Sequence, residues 1–190
     1  MFSHDRTKLD LAEALKTVMR TKAFDKISVS DIISECGISR RTFYYHFQDK
    51  QDLLCWYFDY DVCKELGASD IIIDKDGNRK LFVNALLYYM YERREFYANA
   101  LASTAQNGLR SHLFEYIYRY RRQQILNLLD GRYMDPFGMK FLAEYFTHAI
   151  VGIILNWAND GMNYPPDRFD RGYKNVTTIC LEKMVDVYAE

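Results

Sequence analysis

Near the start of the chain, Leu11, Ala14, Leu15 and Val18 recur at helical spacing, so residues from about Thr7 to Lys22 predict an amphipathic helix. Phe24 and Ile27 follow in a short turn. Ser28 then stands three residues before Asp31. At that spacing a serine hydroxyl and an acidic side chain each satisfy a free backbone amide at a helix start. A second helix is therefore predicted from about Val29 to Cys36, with Ile32 and Ile33 facing inward. Gly37 suits the left-handed residue that ends a helix, and Ser39 suits the cap of the next one. The third helix is short, from Arg40 to about Phe47. Asp49 and Asp52 repeat the capping spacing at the head of a fourth, which carries Leu53, Leu54, Trp56, Tyr57 and Tyr60. Three helices so close together, with a tight turn between the second and third, follow the helix-turn-helix plan.

The pattern breaks over Lys64–Lys80, where Asp74–Asn78 is rich in turn residues, and this stretch predicts a linker or loop. Within it, Ile71–Ile73 fits one extended turn or a helix fragment. Helical periodicity then returns at about 81–92, 95–106, 110–130, 137–160 and 168–189. Asp135-Pro136 and Tyr164-Pro165-Pro166 separate the last three. The expected fold is all-α, with a helix-turn-helix domain over residues 1–55 and a larger helical domain over 56–190.

Composition changes this picture little. The net charge is −1, so the whole chain does not announce a nucleic-acid binder. Residues 1–56 carry nine Lys/Arg against eight Asp/Glu, and the remainder sixteen against eighteen. Any case for DNA rests on where cations sit and not on their sum. The N-terminal residues MFSHDRTKLD lack the apolar core of a signal peptide. Leu142–Leu155, the most apolar stretch, contains Glu144 and His148 and is too short to span a bilayer. Cys36, Cys55, Cys63 and Cys180 have no metal-site spacing and suit free thiols, so a cytoplasmic protein is expected. No GxSxG, Walker loop or HExxH motif argues for an enzyme, and no metal or other cofactor is implied.

A helical wheel of residues 40–47 separates two tasks. Phe43 and Phe47 fall on one side and must face the core, while Arg41, Thr42 and Tyr45 face outward. Arg40 and Tyr44 occupy one rim and His46 the other. Arginine can bond guanine O6 and N7 together, and a threonine methyl can touch that of thymine. Tyrosine and histidine at the rims can donate to phosphates. Lys50, in the first turn of the fourth helix, adds a full charge to free amides there. Ser28 and Ser30, at the head of the second helix, could do the same on the other side.

Residues 37–54, GISRRTFYYHFQDKQDLL, resemble the signature of the TetR family of bacterial transcription regulators. The match is without gaps, and ISVSDIISECG upstream is similar to the family's second helix. The resemblance implies that Tyr44, His46 and Lys50 hold phosphates while Arg40, Arg41, Thr42 and Tyr45 approach the bases. It also implies a homodimer on a near-palindromic double-stranded operator, since two-fold symmetry requires matching half-sites. In such proteins the C-terminal domain is helical, dimerises through its last long helices and often takes a small-molecule effector.

Phe141–Trp157 is the segment best suited to dimerise, with Tyr145, Ala149, Gly152, Ile153 and Trp157 on a stripe wide enough to serve both a core and a partner. Ala149 and Gly152 would permit close helix approach. Residues 149–169 are also similar to the C-terminal domain of the TetR branch that includes the activator of a dihydroxyacetone-kinase operon. No residue identifies an effector, and tyrosines such as Tyr89, Tyr97, Tyr116 and Tyr120 fit ordinary packing better than a ligand cavity. Arg119, Arg121 and Arg122 fit a solvated face. The family default is a ligand-responsive repressor. An activator, or an interaction module that keeps the helix-turn-helix without using DNA, stays open.

Overall fold

A computed structural model describes residues 2–66, 71–73, 79–168 and 179–189. The chain opens with α1 (Phe2–Met19) and a 3-10 turn (Phe24–Lys26), followed by α2 (Val29–Cys36), α3 (Arg40–His46) and α4 (Lys50–Leu66). A two-stranded ribbon, β1 (Ile71–Ile73) and β2 (Arg79–Leu81), precedes α5 (Phe82–Glu92), α6 (Arg94–Ala102), α7 (Leu109–Leu129) and α8 (Pro136–Asn159). The last described helix, α9, is Cys180–Tyr188.

The chemistry of the helix ends explains the N-terminal boundaries. The Ser28 hydroxyl accepts from the Asp31 amide, and the Asp31 carboxylate accepts from the Ser28 amide, closing a capping box at the head of α2. Gly37 ends that helix at φ +71°, a left-handed conformation that costs a Cβ-bearing residue more. The Ser39 hydroxyl accepts from the Thr42 amide to start α3. Asp49 accepts from the amides of Gln51 and Asp52. Asp52 reaches back to the Gln48 amide, so α4 is capped from both sides. These ends agree with those expected from the sequence, and among the described residues the regular structure is helical apart from the ribbon.

The ribbon departs from the loop expected over residues 64–80. Ile71 pairs antiparallel with Leu81, and Ile73 with Arg79. Three consecutive β-branched residues favour extended backbone, and pairing with β2 supplies the hydrogen bonds. The turn-rich residues Asp74–Asn78 lie outside the described residues.

One apolar core runs without a break from Leu11, Leu15, Ile32, Phe43 and Leu53 of the N-terminal helices to Leu86, Leu113, Ile154 and Trp157. Helix α4 supplies Tyr57, Phe58 and Val62 to it. A smaller cluster at the far end joins Ile125, Leu142, Phe146, Leu181 and Val185 of α7, α8 and α9. Asp135 caps α8 by accepting from the amides of Phe137 and Gly138, with Pro136 in the first turn, where its missing N–H costs nothing. Gly138 lets α9 approach: a Cβ there would stand 3.1 Å from the Tyr188 ring. At 24 residues α8 is long and apolar enough to cross a membrane by length and composition, and it extends beyond Leu142–Leu155 at both ends. Its inward residues Leu142, Phe146, Ile150 and Ile154 are instead buried within the bundle.

Candidate nucleic-acid interface

Helix α3 is anchored by Phe43, fully buried, and Phe47 follows it into the core. These anchors fix the opposite side outward. Tyr45 is 74% exposed, Tyr44 half-exposed, and Arg40 and Arg41 are exposed. Arg41 makes no hydrogen bond, ion pair or ring contact with another described residue, which leaves five guanidinium donors available. Arg40 lies over the Tyr44 ring at 5.7 Å and donates to the Tyr44 hydroxyl at 3.5 Å, a pairing that holds both along one rim.

Thr42 is half-buried, and its hydroxyl lies 2.8 Å from that of Ser39. The hydroxyl therefore belongs to the cap of α3. His46 is half-buried on the other rim, edge-on to Tyr45 and tilted against Phe47. Ser30 is exposed in the first turn of α2. Ser28 is exposed too, but its hydroxyl is held by Asp31 at 2.8 Å.

The ammonium of Lys50, for which a phosphate is expected, donates within the chain to the carbonyls of Phe24 at 2.8 Å, Asp25 at 3.1 Å and Ile27 at 2.7 Å. It also sits 4.8 Å from the centre of the Phe24 ring. All three ammonium donors are thereby occupied inside the fold. Burial pulls the amine below its ordinary pKa, against the opposing influence of Asp25 and Asp49. Nearby, Lys22 donates to Asp31 at 2.8 Å. That bond, with those from the Ser28 amide and hydroxyl, holds the Asp31 carboxyl well below the usual carboxylate range.

The expected dimerisation residues divide in two. Tyr145 (59% exposed) and Ile153 (41%) share one outward face of α8 with the exposed Ala149 and Gly152. A Cβ on Gly152 would meet nothing within 4 Å, so that position is open. Trp157 belongs to the other face: it is 1% exposed, and its indole N–H donates to the Tyr164 carbonyl at 3.0 Å. Positions 150, 154 and 157 lie along one side of a helix, so Trp157 follows Ile150 and Ile154 into the core. The outward face is extended by Phe137 and Phe141, which stack in turn with Tyr145. Tyr188 of α9 stacks on Phe141. Phe137 lies outside the segment expected to dimerise, although the i, i+4 spacing of Phe137, Phe141 and Tyr145 marks it in the sequence.

The arginine cluster on α7 also divides. Arg119 and Arg122 are exposed, whereas Arg121 is 3% exposed and donates to Gln124. The four cysteines are free thiols; burial and nearby carboxylates push Cys55 up to about 12, which keeps it protonated. Tyr97 is fully buried and Tyr89 nearly so, edge-on to each other as in ordinary packing. Among the described residues, no group of three or more His, Cys, Asp and Glu could hold a metal ion.

Comparison with known proteins identifies the family. Residues 11–55 match the family described as "Bacterial regulatory proteins, tetR family". Residues 78–178 match the family described as "Transcriptional regulator C-terminal region". Both are families of regulators and not of enzymes. A curated relative from Lactococcus lactis subsp. lactis (strain IL1403), the "HTH-type dhaKLM operon transcriptional activator DhaS", is 34% identical over 91 residues. That match spans 48% of this chain and 46% of the relative, about half of each. A solved structure titled "Dihydroxyacetone kinase operon activator DhaS" shares the fold with a TM-score of 0.65 at 22% identity, over 97% of this chain and 98% of that one.

Proposed function

The chain belongs to the TetR family of bacterial transcriptional regulators, and on that premise we propose that it is a cytoplasmic homodimer that reads a near-palindromic operator through α3. The observation that carries this reading is the outward face of α3, where Arg41 and Tyr45 project from a helix whose other side is locked down by Phe43 and Phe47. Arg41 and Tyr45, with the Thr42 methyl, approach base edges in the major groove. Arg40, Tyr44, His46 and the exposed Ser30 lie at the rims, where phosphates pass. Ser28 contributes as the cap that orients α2.

Residues 1–55 form the DNA-reading unit in this proposal and 56–190 the regulatory and dimerising one. Two copies meet through the outward face of α8, with Tyr145, Ala149, Gly152 and Ile153 joined by Phe137 and Phe141. A small molecule acting on the second unit would shift the dimer between spacings that match the two half-sites and spacings that do not.

Repression is the common mode in this family. The two DhaS relatives are both named as activators, and their names favour activation here. Selection from a pool of randomised duplexes tests the core of the proposal. Enrichment of one near-palindrome supports it, and a pool that stays random after repeated rounds contradicts it. A reporter placed behind the selected site then gives the sign of control.

A further inference from the structure

Helix α6 is clamped at two points by side chains that reach across the fold. On one side, the Asn99 amide holds the junction between α1 and α2. Its Nδ2 donates to the carbonyls of Met19 and Lys22, both at 3.0 Å. Its Oδ1 accepts from the Phe24 amide at 2.8 Å. Met19 ends α1, so its carbonyl lies beyond the reach of the helix's own hydrogen-bond ladder. One side chain thus satisfies two carbonyls and one amide across 75 to 80 residues of sequence.

On the other side, Arg110 of α7 holds the C-terminal end of α6. Its Nε donates to the Leu101 carbonyl at 2.6 Å. Its terminal nitrogen Nη2 reaches the Ala102 carbonyl at 3.5 Å and Asn159 of α8 at 3.3 Å. The carbonyls that end α6 are therefore tied to the two long helices of the C-terminal bundle.

Phe24 continues the path. Its amide is held by Asn99 of α6, its carbonyl by Lys50 of α4, and its ring is buried. Lys22, whose carbonyl Asn99 also holds, pairs through its side chain with Asp31, the residue that caps α2. Polar contacts thus run from α7 and α8 through α6 to the turn that sets α2 and α3.

We propose that Asn99 is the positioning residue through which the C-terminal bundle sets the orientation of the DNA-reading helices, with Arg110 as its counterpart at the other end of α6. This rests on the proposed DNA-reading role of α3. A shift of α6 relative to α7 and α8 moves the turn over residues 19–24, and α2 and α3 follow as one body. The contacts form a continuous physical connection, and an exchange measurement asks whether it carries coupling.

The test uses full-length Asn99→Ala and Arg110→Ala beside the wild-type protein. In the free proteins, amide hydrogen exchange should rise about tenfold at Phe24 and through α2 and α3, while α7 and α8 keep their protection. Affinity for the selected duplex should fall about tenfold relative to a scrambled duplex, with the salt slope of each unchanged. In the wild-type protein, the selected duplex but not the scrambled one should slow exchange at Phe24 and along α6, because coupling is reciprocal.

Faster exchange confined to Phe24, with discrimination between duplexes intact, would overturn the proposal and leave Asn99 as a local cap. Uniform loss of protection in both variants would likewise reduce the two residues to structural ties. If the wild-type protein prefers no duplex, the DNA-reading role fails, and exchange through α2 and α3 in the free variants still decides the clamp.

Discussion

The ammonium of Lys50 lies 2.8 Å from the Phe24 carbonyl oxygen and 4.8 Å from the centre of the Phe24 ring. A lysine at the head of a helix in a DNA-binding unit would ordinarily be assigned to a phosphate. Here it fastens the start of α4 to the turn before α2.

Replacing this lysine should therefore affect the fold more than the charge seen by DNA. Lys50→Met keeps the length of the stem and removes three charge-assisted hydrogen bonds, at a cost of about 1–3 kcal/mol in unfolding free energy. The slope of log affinity against log salt should stay at the wild-type value. A slope shallower by about one would return Lys50 to the phosphates.

Arg41 and Tyr44 should separate base reading from phosphate contact. Arg41→Ala is expected to cost about 1–3 kcal/mol on the selected operator and to relax preference at one base pair in each half-site. Tyr44→Phe should weaken selected and scrambled duplexes alike by about 1 kcal/mol, because a phosphate contact carries no sequence information. Competition titrations across a set of single-base operator variants measure both. The same loss of preference from each substitution would contradict the division.

The two faces of α8 should respond differently to truncation or charge. Tyr145→Arg places a cation on the outward aromatic face and should turn the proposed dimer into a folded monomer in sedimentation. Trp157→Ala empties a fully buried site and should cost about 3–5 kcal/mol of stability, with the folded fraction still dimeric. A Tyr145→Arg protein that remains dimeric would move the interface elsewhere.

Asp31 gives a pH dependence of known sign. Its carboxyl is held below the ordinary value of 3.8 by Lys22 and by the amide and hydroxyl of Ser28, so folding favours the ionised form. That contribution is complete above the ordinary value and is lost as pH falls from there towards the lower folded value. Asp31→Asn should therefore be less stable than the wild type at neutral pH, and the difference should close as the solution is acidified below about pH 4. Denaturant melts at a series of pH values follow it, and a gap that stays constant into acid would show that Asp31 acts only as an uncharged cap.

Local chemistry was legible in the sequence, and distant partners were not. The starts of α2, α3 and α4 depend on Ser28, Asp31, Ser39, Asp49 and Asp52, each bonding within four residues, so their spacing alone declares them. The outward face of α3 follows from the period of the helix once Phe43 and Phe47 are taken as buried. Lys50 bonds to carbonyls 23 to 26 residues away, and backbone carbonyls leave no mark in a sequence. Asn99 was missed for the same reason. On α8 the apolar stripe is wider than one face, so periodicity could not tell that Trp157 turns inward while Tyr145 turns outward. Arg121 sits between two arginines that face solvent, and only the packing of α7 distinguishes it.

Whether two copies of this chain read one duplex through α3 is decided by fluorescence anisotropy of the selected duplex, titrated with the purified protein at several salt concentrations against a scrambled competitor. Saturation is expected at two chains per duplex, with tight binding that survives competitor and a loss of that preference in Arg41→Ala. Equal affinity for selected and scrambled duplexes, falling together as salt rises, would contradict it.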